Sequence, residues 1–484
     1  MIEAKNLSFS YPFSSPVFEE VDFKLAPKEV VVITGPTGSG KSTLAKCITG
    51  FIPHHVDGTY VGSIIINDHD MGDMSLADIS RLVGLVQQDS ESQICTLKVL
   101  DEIAFGPENF LVKRNDILSR IQESLDAIDS HHLIERETYA LSGGEKKRIV
   151  IASILSSLPQ YIVFDEPTSN LDPQGIKQFQ DLLLQLKENN FGVLCIEHNL
   201  NAVLPVADRT LKLDDGKLVS YNPVYESTES NSPRIQPFLF QEPLLSASQI
   251  SFSYDSKIAI DNLSLSIYPG EIIALMGDNG SGKTTLLRLL SGLLSPDFGQ
   301  IFLGDTHIEK LSSKDIAKHT GIVFQNPVHQ IFEKSVWQEY TLGLRILGLD
   351  DIYHLEQAEE KLKKYGLFEK KNDNPYSLSH GQKRRLNVLS SMVHTPSLLI
   401  FDEPFIGQDK VGRTLITESL LNHQKNGGAS IVVTHDSEFS KGFGNRLVFL
   451  DSGAILLDGT PESVLSHLAL LGKDEYDFSG VNQE

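Results

Sequence analysis

Short apolar runs bounded by glycine or acid recur along the chain. Val30-Val31-Val32-Ile33 leads into a glycine-rich loop, and so does Ile272-Ile273-Ala274-Leu275-Met276. Tyr161-Ile162-Val163-Phe164 and Leu398-Leu399-Ile400-Phe401 each run into two acids, Asp165-Glu166 and Asp402-Glu403. Gly192-Val193-Leu194-Cys195-Ile196 and Ser430-Ile431-Val432-Val433 run towards His198 and His435. Runs of this length predict strands buried on both faces. Leu7-Ser8-Phe9-Ser10-Tyr11 and Ile250-Ser251-Phe252-Ser253-Tyr254 alternate instead, which predicts half-buried strands. Leu44 to Ile48 reads as a helix behind the first loop, and a helical region of about 50 residues follows each of Gln88 and Gln325.

These pieces are two copies of one unit. Lys41 and Lys283 lie 242 residues apart, and after residues 51–62 replace the shorter 293–299 the shift settles at 237. The insertion carries His54-His55, but neighbouring side chains rarely aim at one metal, so a solvent loop is expected. Residues 1–221 form the first expected domain and 246–470 the second. Residues 222–245, with Pro223, Pro233, Pro237 and Pro243, read as a linker. Residues 471–484 form a tail, mobile from 474 onward.

The loops carry the chemistry. Gly35-Pro36-Thr37-Gly38-Ser39-Gly40-Lys41-Ser42 and Gly277-Asp278-Asn279-Gly280-Ser281-Gly282-Lys283-Thr284 both match G-x-x-x-x-G-K-[ST] between a strand and a helix. Glycines let backbone N–H groups turn inward around a polyphosphate, and the helix start adds unpaired donors. Lys41 and Lys283 supply point charge, Ser42 and Thr284 a Mg²⁺-ligating hydroxyl, and Thr43 and Thr285 follow in the nucleotide-binding set. Asp165 and Asp402, at strand ends, are candidate Mg²⁺ neighbours. Glu166 and Glu403 can orient or deprotonate an attacking water. Gln88 and Gln325 can orient Mg²⁺-bound water, and His198 and His435 can reach a γ-phosphate. Gln87, aligned with Phe324, reads as a packing position. Leu141-Ser142-Gly143-Gly144-Glu145 and Leu378-Ser379-His380-Gly381-Gln382 open basic helices, each reading as a helix cap and as a second anion site. Tyr11 and Tyr254 precede the loops, where a ring can stack on a nucleobase or pack locally.

Composition narrows the classes. A net charge of −22 argues against a basic groove for nucleic acid. Cys47, Cys95 and Cys195 are widely spaced, which fits a reducing compartment and no metal cluster. No stretch reaches about 18 consecutive apolar residues, and the first residues lack the apolar core of a signal peptide.

Phosphate loop, glutamine, Leu-Ser-Gly-Gly-Glu, Asp-Glu strand end and histidine, in this order and in both halves, resemble the ATP-binding-cassette ATPases. The resemblance implies an α/β chain of two tandem P-loop nucleotide-binding domains. Each has a mainly parallel core sheet, an antiparallel β subdomain and a helical subdomain, with ATP and Mg²⁺ as ligands. It implies cassettes that pair within one chain, Lys41 and Ser42 sharing a nucleotide with Ser379 and Gly381. Lys283 and Thr284 would share theirs with Ser142, Gly143 and Gly144. His380 departs from the family's glycine and is expected to crowd nucleotide or restrict the backbone.

Glu102-Ile103-Ala104-Phe105-Gly106-Pro107-Glu108-Asn109 and Gln325-Asn326-Pro327-Val328-His329-Gln330 are similar to the ATPases of energy-coupling-factor importers of vitamins, their precursors or metal ions. That similarity implies a peripheral protein on the cytoplasmic face of the membrane. Its partners would be a transmembrane scaffold and a small substrate-capture subunit, with no nucleic acid. A fused sugar-importer ATPase is a competing reading, in which one site is expected to be more eroded. A two-cassette ribosome-associated ATPase is another, in which a long charged helical linker is expected. A chromosome-maintenance ATPase needs a coiled coil that the 124 residues from Lys41 to Asp165 leave no room for.

Overall fold

The computed structural model describes residues 1–36, 38–168, 171–198, 200–223, 242–255 and 257–477. Thr37, residues 224–241 of the expected linker and residues 478–484 of the expected tail lie outside the described residues. The chain divides into two compact units, Met1–Tyr225 and Glu226–Glu484.

In the first unit a six-stranded sheet runs in the order Lys217–Ser220, Arg209–Asp214, Val30–Thr34, Gly192–Ile196, Tyr161–Asp165, Val83–Val86. All neighbours are parallel except the first pair. The central strands are buried along their whole length, which is why their sequences show no polar alternation. Val31 and Ile33 face one core, shared with Phe9, Phe18, Leu44 and Ile48. Val30 and Val32 face the other, shared with Ile149, Phe164 and Phe179. An antiparallel sheet, ordered Phe18–Leu25, Ile2–Ser10, Thr59–Ile66, His69–Asp70, covers the first face. The helices Val99–Asn109, Arg114–Ala127 and Gly143–Leu155 form the helical part.

The second unit repeats this plan. Its core sheet runs Thr320–Val323, Leu398–Asp402, Ala429–Val433, Ile272–Gly277, Arg446–Asp451, Ala454–Gly459. Lys257–Ile267, Leu245–Tyr254, Phe298–Leu303 and Thr306–His307 make the antiparallel sheet. Helices Val336–Leu347, Ile352–Lys364 and His380–Met392 pack around Tyr340, Leu362 and Leu386. In both units Ile33, Ile196 and Asp165, or Leu275, Val433 and Asp402, stand in register on adjacent parallel strands. Parallel neighbours end on the same side, so the loop, acids and histidine that follow them collect at one edge.

Three expectations are refined. Within residues 51–62 a short helix, Phe51–His54, precedes the strand from Thr59, and His54 and His55 are exposed. Leu245, read as the linker's last residue, is fully buried as the first residue of a strand. Residues 474–477 are not a mobile tail. The Tyr476 ring is fully buried, its centroid 4.9 Å from that of Phe449 in an edge-on contact. Among the described residues, no helix is long and apolar enough to cross a membrane.

Candidate functional site

Each unit carries one constellation at its core-sheet edge. Gly35 and Gly277 adopt φ of 151° and 149°, and a Cβ there would come within 2.1 Å of the Leu213 carbonyl oxygen or 2.2 Å of that of Leu450. Only glycine lets the loop leave its strand so close to a neighbour. The helices Lys41–Ile48 and Lys283–Leu290 begin at left-handed Gly40 and Gly282 with no side-chain cap, so their first N–H groups remain open to an anion. The buried Ser39 and Ser281 hydroxyls, one in each loop, have no hydrogen-bond partner among the described residues. Buried polar atoms are normally paired, so two such atoms at matched loop positions fit a polyphosphate. Lys41 Nζ donates to the Gly35 and Pro36 carbonyls at 2.9 Å, and Lys283 Nζ to those of Gly277 and Asp278 at 2.7 and 2.9 Å. Gly38 and Gly280 have positive φ and open space around a Cβ position. Asn279 lies in the second loop, and Thr43 and Thr285 are buried in the first turns of the loop helices.

The Mg²⁺ candidates meet in both copies. Ser42 Oγ donates to Asp165 Oδ1 at 3.1 Å, and Thr284 Oγ1 to Asp402 Oδ2 at 2.8 Å. Hard oxygen donors of this kind suit Mg²⁺. Burial pushes the Asp165 carboxyl up to about 6, and burial also raises that of Asp402. A divalent cation would relieve that cost, so these residues fit the ion.

Glu166 and Glu403 both turn out of their strands at φ 50°, a left-handed conformation that a side chain rarely adopts. Their N–H groups donate to the Ile196 and Val433 carbonyls at 2.9 and 3.1 Å. His198 Nε2 lies 3.3 Å from Glu166 Oε1, and His435 Nε2 lies 3.3 Å from Glu403 Oε1. The histidines therefore sit on the glutamates, two residues past their strands. Burial, then the Asp402 charge, raises the Glu403 carboxyl well above the usual carboxylate range. Burial, then the Lys283 charge, lowers His435 to about 3, so its imidazole is neutral.

The glutamines differ. Gln88 Nε2 donates to Glu166 Oε2 at 2.5 Å, whereas Gln325 is exposed and its backbone carbonyl is held by Arg384. Lys147, at the position matching Arg384, donates instead to the Glu166 carbonyl at 3.1 Å. Burial lowers Lys147 to about 8 and Arg384 to about 10.

Ser142 and Ser379 cap their helices in reciprocal boxes with Glu145 and Gln382. A Cβ on Gly143 or Gly144 would meet nothing within 4 Å, so nothing inside the unit demands glycine there. Gly381 is buried, and its carbonyl accepts from Gln408 Nε2 at 3.0 Å. The His380 ring lies towards Gly407 of its own unit, where an added Cβ would come within 2.9 Å of His380 Nδ1. Tyr11 hydroxyl lies 3.1 Å from Thr43 Oγ1, and Tyr254 hydroxyl accepts from Arg288 Nη1 at 3.5 Å. Each ring meets a phenylalanine edge-on, Phe9 or Phe252.

Sequence reasoning missed a supporting layer. Gln93 Oε1 accepts from Gln87 N at 2.7 Å, and Gln330 Oε1 from Phe324 N at 2.8 Å. Glu102 Oε2 accepts from Cys95 N, Thr96 N and Thr96 Oγ1, and Glu339 Oε2 from Phe332 N and Glu333 N. Both pairs keep the 237-residue shift. Identity at matched positions inside a divergent region was the available signal.

The "ABC transporter" family model matches residues 18–169 and 260–406. A "Putative ABC transporter ATP-binding protein" of Methanosarcina mazei is 32% identical, covering 99% of this chain and 92% of its own. The "Putative HMP/thiamine import ATP-binding protein YkoD" of Bacillus subtilis is 32% identical, covering 96% of this chain and 92% of its own. An archaeal ribosome recycling factor, aABCE1, solved with the stalk protein aP1, shares the fold at a TM-score of 0.65. It is 20% identical and the match covers 94% of this chain and 91% of that one.

Proposed function

The chain belongs to the ABC transporter family and is an ATP-hydrolysing protein with two cassettes, and from that membership we propose that it energises a membrane importer of energy-coupling-factor type. Its cargo class is a vitamin, a vitamin precursor or a metal ion. The observation that carries hydrolysis is the duplicated set of loop lysine, hydroxyl, strand-end aspartate and glutamate–histidine pair. The importer reading is supported by likeness to the import protein of Bacillus subtilis over nearly the whole chain.

On ATP binding, Lys41 and Lys283 exchange their loop carbonyls for phosphate oxygens. Ser42 and Asp165, or Thr284 and Asp402, with Gln88 or Gln325 nearby, would hold Mg²⁺, which would neutralise charge on the polyphosphate. Glu166 or Glu403 orients water and takes a proton as the water oxygen bonds to the γ-phosphorus. The bond to ADP breaks, and ADP and phosphate leave. His198 or His435 holds the glutamate carboxylate in place. The signature residues Ser142, Gly143 and Gly144, with Ser379 and Gly381, complete nucleotide binding, and Tyr11 and Tyr254 contact the base. Cassettes at residues 1–221 and 246–470 close on ATP and part after hydrolysis, driving a docked membrane subunit. The protein lies on the cytoplasmic face of the membrane, beside a polytopic scaffold and a small capture subunit.

The test is a pull-down of tagged native protein from gently solubilised membranes, with partners identified by mass spectrometry. Recovery of one polytopic scaffold and a small membrane protein is expected. Recovery with ribosomes and no membrane partner would overturn the importer reading.

A further inference from the structure

Of the three positions at which the two phosphate loops differ, one has a large consequence. Asp278 stands where the first loop has Pro36, which offers no side-chain acceptor. An acid on a loop that wraps a polyphosphate would repel the ligand. Here each of its carboxylate oxygens is engaged. Lys473 Nζ donates to Asp278 Oδ2 at 2.6 Å, and Tyr476 hydroxyl to Oδ1 at 2.5 Å. The Asp278 backbone carbonyl meanwhile accepts from Lys283 Nζ at 2.9 Å, so one residue joins the distal segment to the phosphate lysine.

That segment is itself anchored at four points. Thr460 caps the helix Pro461–Leu470, whose Val464, Leu465 and Leu468 pack with Tyr476 against Met276 and Phe449. Lys473 Nζ lies 5.5 Å from the Phe449 ring centroid. Lys441 Nζ, on the helix that follows His435, pairs with Asp477 Oδ1 at 2.6 Å. The Tyr476 ring lies 6.3 Å from that of His435. The strap therefore spans the phosphate loop, the strand beside it and the histidine's own connection.

We propose that Lys473 and Tyr476 are positioning residues of the second ATP site: they cancel and orient the Asp278 charge, so that nucleotide affinity at Lys283 depends on this strap while affinity at Lys41 does not. The proposal rests on the reading of the second loop as an ATP site. A merely structural staple for the helix predicts lost stability with no change in the balance of charge at the loop. The alternatives separate through Asp278 itself.

The experiment titrates Mg²⁺-ATP into the full chain by calorimetry, with Lys41→Ala present throughout to silence the first loop. Lys473→Met is expected to weaken binding about fivefold, the scale of one uncompensated charge near a polyphosphate in a partly solvated site. Lys473→Arg keeps affinity near the parent, and Tyr476→Phe gives a smaller loss than Lys473→Met. Asp278→Asn, which leaves the strap intact, binds at least as tightly as the parent. The pair Asp278→Asn with Lys473→Met, which carries the parent's net charge at the loop, returns to about the parent's affinity. Unchanged binding in Lys473→Met overturns the proposal. So does a double variant as weak as Lys473→Met, because the loss would then be independent of the carboxylate. If Lys473→Met does not fold, weakened binding in Asp278→Asn alone overturns it. A parent chain that binds no Mg²⁺-ATP would instead remove the ATP-site reading beneath it.

Discussion

Replacing Glu102 by alanine tests whether the stretch between the glutamine loop and the helical part is held by one buried carboxylate. Glu102 is 4% exposed and lies in the helix Val99–Asn109. Its Oε2 accepts from Cys95 N at 3.0 Å, Thr96 N at 2.8 Å and Thr96 Oγ1 at 2.9 Å. A hydrogen bond to a charged acceptor contributes about 1.5–3 kcal/mol. Cys95 is exposed, so water reaches part of the vacated site and recovers some of the loss. The net cost of Glu102→Ala is then about 2–4 kcal/mol. In a unit the size of Met1–Tyr225 that lowers the unfolding temperature by about 4–16 °C. Glu102→Gln keeps one carbonyl oxygen and the volume, and loses about 1 kcal/mol. The ATPase rate should fall further than stability explains. Gln93, in the same stretch, bonds the backbone beside Gln88, and Gln88 touches Glu166. Differential scanning calorimetry and hydrogen exchange at the Cys95 and Thr96 amides measure the effect. An alanine variant that loses less than about 1 kcal/mol, with those two amides still protected, would refute the reasoning.

The remaining predictions concern the site itself. Burial holds Asp165 at about 6 against its ordinary 3.8, so its folded value is raised and the ionised form disfavours folding. Asp165→Asn should therefore stabilise the nucleotide-free chain at pH 7 by up to about 3 kcal/mol, an advantage that shrinks as pH falls through 6 towards 4. Denaturation curves that stay parallel over that range would sink it, and Mg²⁺-ATP should stabilise the wild type but not the variant. Glu166→Gln and Glu403→Gln should both lower single-turnover ATP hydrolysis, and unequally, because only Glu166 is contacted by its glutamine; equal losses count against this. Gly407→Ala should cost about 1–3 kcal/mol from its φ of 69° and its approach to His380. Adding His380→Gly should recover the steric part, as unfolding temperatures will show.

Much of the fold was legible because buried parallel strands announce themselves as unbroken apolar runs, as Val30 to Ile33 does. The site was legible because the glycines, lysine, acids and histidine each occur twice at a constant offset. Relations perpendicular to the chain were less visible. A histidine past a strand end could have faced phosphate, and only register shows that it lies 3.3 Å from a glutamate. Glu102 entered only through the family likeness of its stretch, and its amide partners supply the structural role that likeness did not name. Tyr476 lies in a short polar stretch with no period, so composition predicted mobility; a single aromatic ring inserted beside Phe449 reversed that.

The differences between the halves are more informative than the repeat. Hydroxyl–aspartate and glutamate–histidine pairs match within a few tenths of an ångström, as chemistry common to both sites requires. The residues behind them have diverged. Lys147 reaches the Glu166 carbonyl, while Arg384 grips the Phe324 and Gln325 carbonyls. Thr168 donates to buried Glu197, while Phe405 in the matching place packs on Phe439. Such changes leave the reacting groups in place and alter how firmly each glutamine loop and glutamate is held. Drift would erode reacting and supporting positions alike. Here every proposed reacting group is present in both copies, and charged or aromatic replacements behind them make well-formed contacts. That pattern favours two working ATP sites tuned to different affinities and rates over one working site and one relic.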